Sequence, residues 1–269
     1  MKIWTLGSGS GGNAILVECD GSRLLVDCGF GTRTLAARLR TIDVEPESID
    51  GCLVTHEHGD HVKGAGAAAK RWGWGVYSTA GTARAPELAM ATVHIVEPGV
   101  PLEFPRMSVT ATPTPHDATG SVGFVVTSRS TGARAGLFYD LGHVSPAVAD
   151  VCDSLDILVL ESNHDTEMLR HGPYPRWLQS RISCRTGHLS NRDAGAFARG
   201  VATRGLSHLV LAHLSEQCNA PEVALSSMRS ALARSRFRGA LTVASQNDVV
   251  GPFMPGPARA EPPLQYSLL

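Results

Sequence analysis

The sequence predicts a layered α/β protein built as one domain. Three local patterns carry that expectation: a β-hairpin near the N-terminus, an apolar β-branched run leading into an Ala-rich helical stretch, and a second half in which short buried strands alternate with helices. At 269 residues the chain is long enough for one large core. Residues 2–6 read as a strand, residues 7–12 as a glycine-rich loop and residues 13–18 as a second strand. Asp20-Gly21 suits a tight type I′ turn, which returns the chain as a third strand over residues 23–27. The loop formally matches G-x-G-x-x-G, but a strand follows where a dinucleotide site needs a helix, so that reading is rejected.

Leu35, Leu39 and Ile42 recur at helical spacing behind Thr32 or Thr34, either of which would cap a helix over residues 33–41. The apolar run at residues 49–55 reads as a strand and residues 61–72 as a helix. Short apolar runs around Val76, Val93 and Val109, punctuated by Pro and Gly, begin a strand-rich region. Residues 122–127 and 135–139 flank the turn-forming segment 128–132 as another hairpin. There follow a helix near residues 145–152, a buried strand at 157–160, helical stretches, a strand at 209–212, a helix from about Pro221 and a last strand near Leu241. Pro and small residues without periodicity after Gly251 predict a disordered tail, which makes residues 1–251 the domain and 252–269 the tail.

Composition excludes more than it identifies. Hydrophobic content of 43%, charged content of 18% and a net charge of −1 are ordinary globular values, without the cationic field that would announce a nucleic-acid partner. Six scattered cysteines without a C-x-x-C pair read as buried free thiols of a reducing compartment. No signal peptide and no membrane-spanning stretch is read, so a cytoplasmic protein is expected.

The densest chemistry is His56-Glu57-His58-Gly59-Asp60-His61, at the junction of a strand and a helix. At a strand end, positions i and i+2 share a face, so His56 and His58 would grip one metal, while Glu57 points away. Gly59 permits a sharp turn, and Asp60 and His61 would then reach a second metal from the first helical turn. Imidazole nitrogen and carboxylate oxygen suit zinc, manganese or iron, and the lack of a nearby thiolate argues against copper(I) or an iron–sulfur cluster. Further ligands stand at the ends of apolar runs: His116, Asp140 and His213. A carboxylate can bridge two metals about 3.5–4 Å apart, the role assigned to Asp140. Asp27 also ends a strand, where it would orient a ligand imidazole or serve a turn or helix cap. His94, His143, His171 and His208 lack such placement. Residues 166–185 carry Arg170, His171, Arg176, Arg181 and Arg185 against Glu167 alone, and read either as a solvated insertion or as a phosphate-facing wall of the cleft.

The order His56, His58, Asp60, His61, His116, Asp140, His213 resembles the metallo-β-lactamase superfamily. Gly7-Ser8-Gly9-Ser10-Gly11-Gly12-Asn13, Leu160-Glu161-Ser162-Asn163-His164-Asp165, Met168-Leu169, Gly172-Pro173-Tyr174-Pro175, Gly187-His188-Leu189-Ser190-Asn191 and Ala212-His213-Leu214-Ser215 are similar to its YycJ/WalJ group of bacterial nucleases, from about residue 1 to 250. Cys218-Asn219 departs from the pair of asparagines expected there. The resemblance implies a four-layered αββα sandwich with two divalent ions at the sheet edge, Mn2+ favoured over Zn2+ or Fe2+. It also implies cleavage of single- or double-stranded DNA, 5′-to-3′ with some single-strand endonuclease action, and a tie to repair proteins. RNA is a second substrate class, and glyoxalase-like thioester or lactone hydrolysis a different one on nearly the same ligands. Within the nuclease reading Asp60 would orient the nucleophile, and His188 would be general acid, against a loop-stabilising role. Asn163, His164 and the arginines Arg170, Arg176, Arg181 and Arg185 would face the phosphates.

Overall fold

Asp20 and Gly21 have φ of 49° and 86°, the left-handed geometry that a type I′ turn requires, and they fold β2 (Ala14–Cys19) back onto β3 (Ser22–Val26). This is a computed structural model, which describes residues 1–202 and 205–256. With β1 (Lys2–Gly7) these strands form the antiparallel half of the first sheet, and β4 (Gly51–Leu53), β5 (Gly75–Ser78) and β6 (Val93–Ile95) continue it in parallel. The second sheet repeats this division. Its antiparallel half is β7 (Pro101–Glu103), β8 (Met107–Pro113), β9 (Val122–Ser128) and β10 (Arg134–Phe138); β11 (Ile157–Glu161), β12 (His208–Ala212) and β13 (Ala240–Val243) extend it in parallel. A further strand, β14 (Val250–Phe253), pairs antiparallel with β1 at the edge of the first sheet.

Side chains that alternate along each strand divide between two burials. Ile15, Val17, Leu24 and Val26 of the first sheet meet Val109, Phe124, Val126, Leu137 and Val159 of the second in the central core. Their neighbours Leu16 and Leu25 face outward onto α1 (Thr32–Arg40) and α3 (Ala65–Trp72), through Leu35, Leu39, Ala65 and Ala68. On the other side, Leu158, Leu160 and Leu209 pack against Val148 of α4 (Pro146–Val151), Ala194 and Ala198 of α7 (Asn191–Val201) and Met228 of α8 (Pro221–Leu232). The result is the four-layered αββα sandwich. Strands buried on both faces need continuous apolar runs, which is why 157–160 and 209–212 were legible.

Several boundaries differ from the sequence reading. The helix expected over residues 61–72 is two pieces, α2 (Gly59–Val62) and α3, because the Gly64 amide is drawn to the Cys28 carbonyl at 2.8 Å and the chain there lies against Phe30. Neither Thr32 nor Thr34 caps α1; Gly31 does, without a side-chain bond. The strand at 49–55 shortens to β4, since Thr55 leaves the sheet to bond Asp27. The domain boundary at Gly251 falls inside β14; Pro252 disguised a strand that tolerates proline because it is an edge. Of the tail expectation, residues 257–269 lie outside the described residues. All six cysteines are free, but Cys184 is exposed rather than buried. Among the described residues no helix is long and apolar enough to cross a membrane.

One glycine ties the N-terminal strands to the histidine-rich segment at residues 56–61. A Cβ at Gly29 would lie 1.8 Å from the Asp60 carbonyl oxygen, which also accepts the Asn13 amide at 2.7 Å. Gly29→Ala should therefore destabilise the protein by about 1–3 kcal/mol, a fall in Tm of about 2–4 °C per kcal/mol for a chain of this size. Calorimetry checks this, and an unchanged Tm would show that the two loops separate freely.

Candidate metal centre

The parallel strands deliver their C-terminal ends to one edge of the sandwich, and there the backbone turns sharply. Asp27 after β3, Asp140 after β10 and His213 after β12 have φ of 60°, 57° and 55°. This left-handed conformation is uncommon for residues with a side chain, though least so for Asp, Asn and His, and it costs about 1–3 kcal/mol each. It swings three functional side chains inward over the sheet edge.

Asp27 is 0% exposed and accepts four donors. Its Oδ1 takes the Thr55 amide at 2.8 Å; its Oδ2 takes the Thr55 hydroxyl at 2.8 Å, the Tyr139 hydroxyl at 2.8 Å and His61 Nδ1 at 2.7 Å. With Nδ1 so occupied, His61 turns Nε2 to Asp140 Oδ2 at 2.9 Å and the Asn13 amide at 3.2 Å. His116 is fixed in the same way, Nδ1 donating to the Gly187 carbonyl at 3.0 Å while Nε2 faces His58 Nδ1 at 3.2 Å. His213 is clamped at both ends of its backbone: its amide donates to Ser8 Oγ at 2.8 Å and its carbonyl accepts the Asn163 amide at 2.9 Å. The glycine-rich loop thus serves this edge, with Asn13 also donating to Asp60 Oδ2 at 3.3 Å.

All seven residues of the sequence-derived set converge. Potential ligand atoms of His56, His58 and His116 lie within 4.8 Å of one another, as do those of Asp60, His61 and His213 and those of His56, His61 and Asp140. Asp140, grouped with His56 of the first set and His61 of the second, thus stands where those two sets can share it. Two buried atoms have no proton donated to them: His56 Nε2 has no hydrogen-bond partner, and Asp140 Oδ2 is approached at 2.9 Å by His61 Nε2 while that ring donates through Nδ1 to Asp27. A buried polar atom left so costs free energy unless a cation claims it, and these two belong to one of the groupings. The donor set of imidazoles and carboxylates fits divalent metal ions.

The field of the carboxylates agrees. Burial opposes charge on His61 and His213, yet Asp140, with Asp27 for His61 and with Asp60 and Glu161 for His213, raises both, His213 to about 9. Burial likewise opposes the Asp60 and Asp140 carboxylates, but the surrounding imidazoles hold both well below the usual range. His56 is the counter-example: burial, reinforced by His61, keeps it neutral and a ready ligand. A centre that attracts protons in this way attracts cations, which release protons on binding.

Beside these groups lies a pocket of about 330 Å³, lined among others by His58, Asp60, Asp140, Arg181, His188 and His213. His188 Nδ1 donates to Glu161 Oε1 at 2.8 Å, so Nε2 is the free nitrogen of a ring that lines the pocket. Burial works against charge on this ring, and Glu161 with Asp140 raises it well above the ordinary value. Glu161 is itself 0% exposed; burial would raise its carboxyl, but His188 and His213 lower it to about 2. Its second oxygen takes the amides of Leu141 and Leu189 at 2.7 and 2.9 Å, stitching three loops together.

The basic segment is divided rather than forming one wall. It folds as α5 (Thr166–His171) and α6 (Arg176–Ser183). Only Arg181 lines the metal-side pocket, with its Nε 2.7 Å from Asp117 Oδ2. Arg185 turns to His143 Nε2 at 3.0 Å, outside that lining. Arg170, Arg176 and the buried His164 line a separate cavity. Asn163 faces the His213 carbonyl, not the pocket, because its amide is needed to hold that strained turn. Asn219, in the departing Cys218-Asn219 pair, donates to the carbonyls of Ser162 and Asn163 at 2.8 and 3.0 Å, while Cys218 is buried.

Sequence reasoning missed Glu161, Tyr139, Thr55, Asn13 and Asp117. Glu161 carried the same signal as Asp140 and His213, a polar residue closing a buried strand; the other four gain their roles from contacts with residues distant in the chain.

Comparison with known proteins agrees with this architecture. Residues 22–214 match the model of a beta-lactamase superfamily domain. The chain is 34% identical over 244 residues to the exodeoxyribonuclease WalJ of Streptococcus pneumoniae, covering 87% of this chain and 89% of that one. It is 33% identical over 237 residues to the exodeoxyribonuclease YycJ of Bacillus anthracis, covering 86% and 89%. Among solved structures, the metallo-β-lactamase fold protein YhfI from Bacillus subtilis superposes with a TM-score of 0.70 at 19% identity, over 93% of this chain and 99% of that one, a likeness of fold. The strand-end ligand order, the αββα layers and these alignments over most of the chain place it in the metallo-β-lactamase superfamily, in the group of the YycJ and WalJ proteins.

Proposed function

We infer that the chain is a metal-dependent nuclease that hydrolyses DNA exonucleolytically, 5′-to-3′, in the cytoplasm and in DNA repair. The observation that carries the reading is the identity of 34% with an exodeoxyribonuclease along nearly the whole chain. The site supports it, since a centre suited to two cations stands beside a separate candidate proton donor, His188.

His56, His58 and His116 would hold one ion and Asp60, His61 and His213 the other, with Asp140 between them. Two such ions, manganese by preference, would supply a water of lowered pKa and charge to offset that gathering on the phosphate oxygens. The residues do the rest. Asp60, steadied by Asn13, accepts a hydrogen bond from the attacking water and aligns it with phosphorus. His188 Nε2 donates a proton to the departing 3′-oxygen, leaving a 5′-phosphate product; Glu161 holds Nδ1 and so fixes which nitrogen faces substrate. Arg181, held by Asp117, would offer its remaining N–H groups to a phosphate oxygen.

The direct experiment offers 5′-labelled single- and double-stranded DNA, labelled RNA and a thioester to protein loaded with manganese, zinc or iron, with and without chelator. DNA should shorten from its 5′ end, fastest with manganese, and chelation should stop it; consumption of the thioester alone would overturn the nuclease reading. His188→Ala should retain its metal while losing about 10²-fold or more in turnover. If turnover held, His188 would be a loop residue. Asp140→Asn removes the shared carboxylate and should lower metal content from about two to about one per chain; full occupancy by elemental analysis would deny it the bridging role.

A further inference from the structure

α6 has no buried residue, yet both of its flanks line cavities. At about 100° per residue, Leu178, Arg181 and Ile182 share one flank, which lines the pocket at the metal centre. Arg176, Gln179, Ser180 and Ser183 share the opposite flank and line a second cavity of about 230 Å³. Trp177 falls between the two flanks and is 67% exposed, the most exposed of the large hydrophobic side chains in the described residues. Most of the indole therefore stands open to solvent on the crest between the two pockets.

The second cavity carries cationic and hydrogen-bonding groups. His164 forms part of its wall, only 2% exposed, and Nδ1 of that ring is buried without a hydrogen-bond partner. Arg170 and Arg176 add two cations, and Gln179, Ser180 and Ser183 add neutral polar groups. Arg170 has one carboxylate nearby, Glu167 at 3.7 Å, but both side chains are more than two-thirds exposed and solvent screens the pair. Among the described residues Arg176 makes no ion pair.

We propose that this cavity receives a backbone phosphate of the same strand whose scissile phosphate lies in the metal-side pocket, and that Trp177 stacks on a base between them. The inference rests on the nuclease reading above. The opposite flanks of a helix are about 10–12 Å apart, which is about three stacked steps at ~3.4 Å each. The strand therefore crosses α6 within a few nucleotides. Aromatic stacking and arginine contacts to the backbone are sequence-tolerant, as an exonuclease that digests through any sequence requires.

The test uses metal-loaded protein and phosphorothioate oligothymidylates of two to eight nucleotides, which resist hydrolysis, read by quenching of tryptophan fluorescence and by competition with a labelled strand. Wild-type affinity should rise steeply between about two and five nucleotides and level off. Trp177→Ala should weaken binding of the longer strands by about tenfold, with Trp177→Phe restoring most of it, and the dinucleotide should be affected little. Arg176→Ala should flatten the dependence of log K on log salt by about 0.7, one phosphate contact on a single strand. Arg229→Ala, which removes the same charge from α8, should change neither. If wild type binds and cuts DNA while the α6 variants bind every length as wild type does, the inference falls and the nuclease reading stands. If wild type neither binds nor cuts, both fall.

Discussion

One buried carboxylate, Asp27, organises the molecule. Four donors reach it from three parts of the chain: Thr55 twice, His61 once, and Tyr139 from the opposite sheet. A charge at 0% exposure costs several kcal/mol unless its oxygens are satisfied, and here they are. The bonds also decide chemistry. Because His61 gives its Nδ1 proton to Asp27, only Nε2 remains to face Asp140, and the orientation of one imidazole is settled by a residue that is not in any of the candidate metal groupings. Tyr139 makes the same carboxylate a rivet between the two sheets, so the site cannot be assembled by either sheet alone.

The backbone at the sheet edge follows from the same requirement. A strand that simply ended would point its last side chain above or below the sheet. The left-handed turns at Asp27, Asp140 and His213 redirect those side chains along the edge, and backbone bonds at Asp27 and His213 help offset the cost. His213 shows this most directly, with Ser8 on its amide and Asn163 on its carbonyl. Residues far apart in sequence are thus conscripted to hold one turn, and a polar residue that looks positioned for substrate is in fact positioned for backbone.

That distinction marks where the sequence was legible. The strand-end rule located the seven ligand candidates because two-sided burial forces an apolar run, and a polar residue that closes such a run emerges at a common edge. The same rule applied equally to Glu161, which closes β11, and nothing local to it signals that His188 and His213 fold onto it. Arginines were harder. Their clustering in residues 166–185 is real, but sequence proximity says nothing of flank, and α6 sends Arg176 and Arg181 to different cavities. The Gly64 break and β14 were hidden for a related reason: one depends on the contact with Cys28 and Phe30, the other on an edge position that excuses its proline.

The groupings of candidate ligands carry a consequence for stability. Sheet one and the loops that follow its strands supply His56, His58, Asp60 and His61, while sheet two supplies His116, Asp140 and His213. Each of the three groupings that contain His56 or His61 draws on both sheets. An ion held by any of them would join the sheets at the edge where Asp27 and Tyr139 already join them. Binding to the folded chain alone stabilises it by about 2.7 kcal/mol at a free ion concentration of 100 Kd, comparable to relieving the strain of one or two left-handed turns. The field that gathers protons on His61 and His213 and the strained turns that aim their partners therefore serve one end. The fold concentrates negative charge and lone pairs at its least favourable edge, and the ions that suit this chemistry would also hold that edge closed.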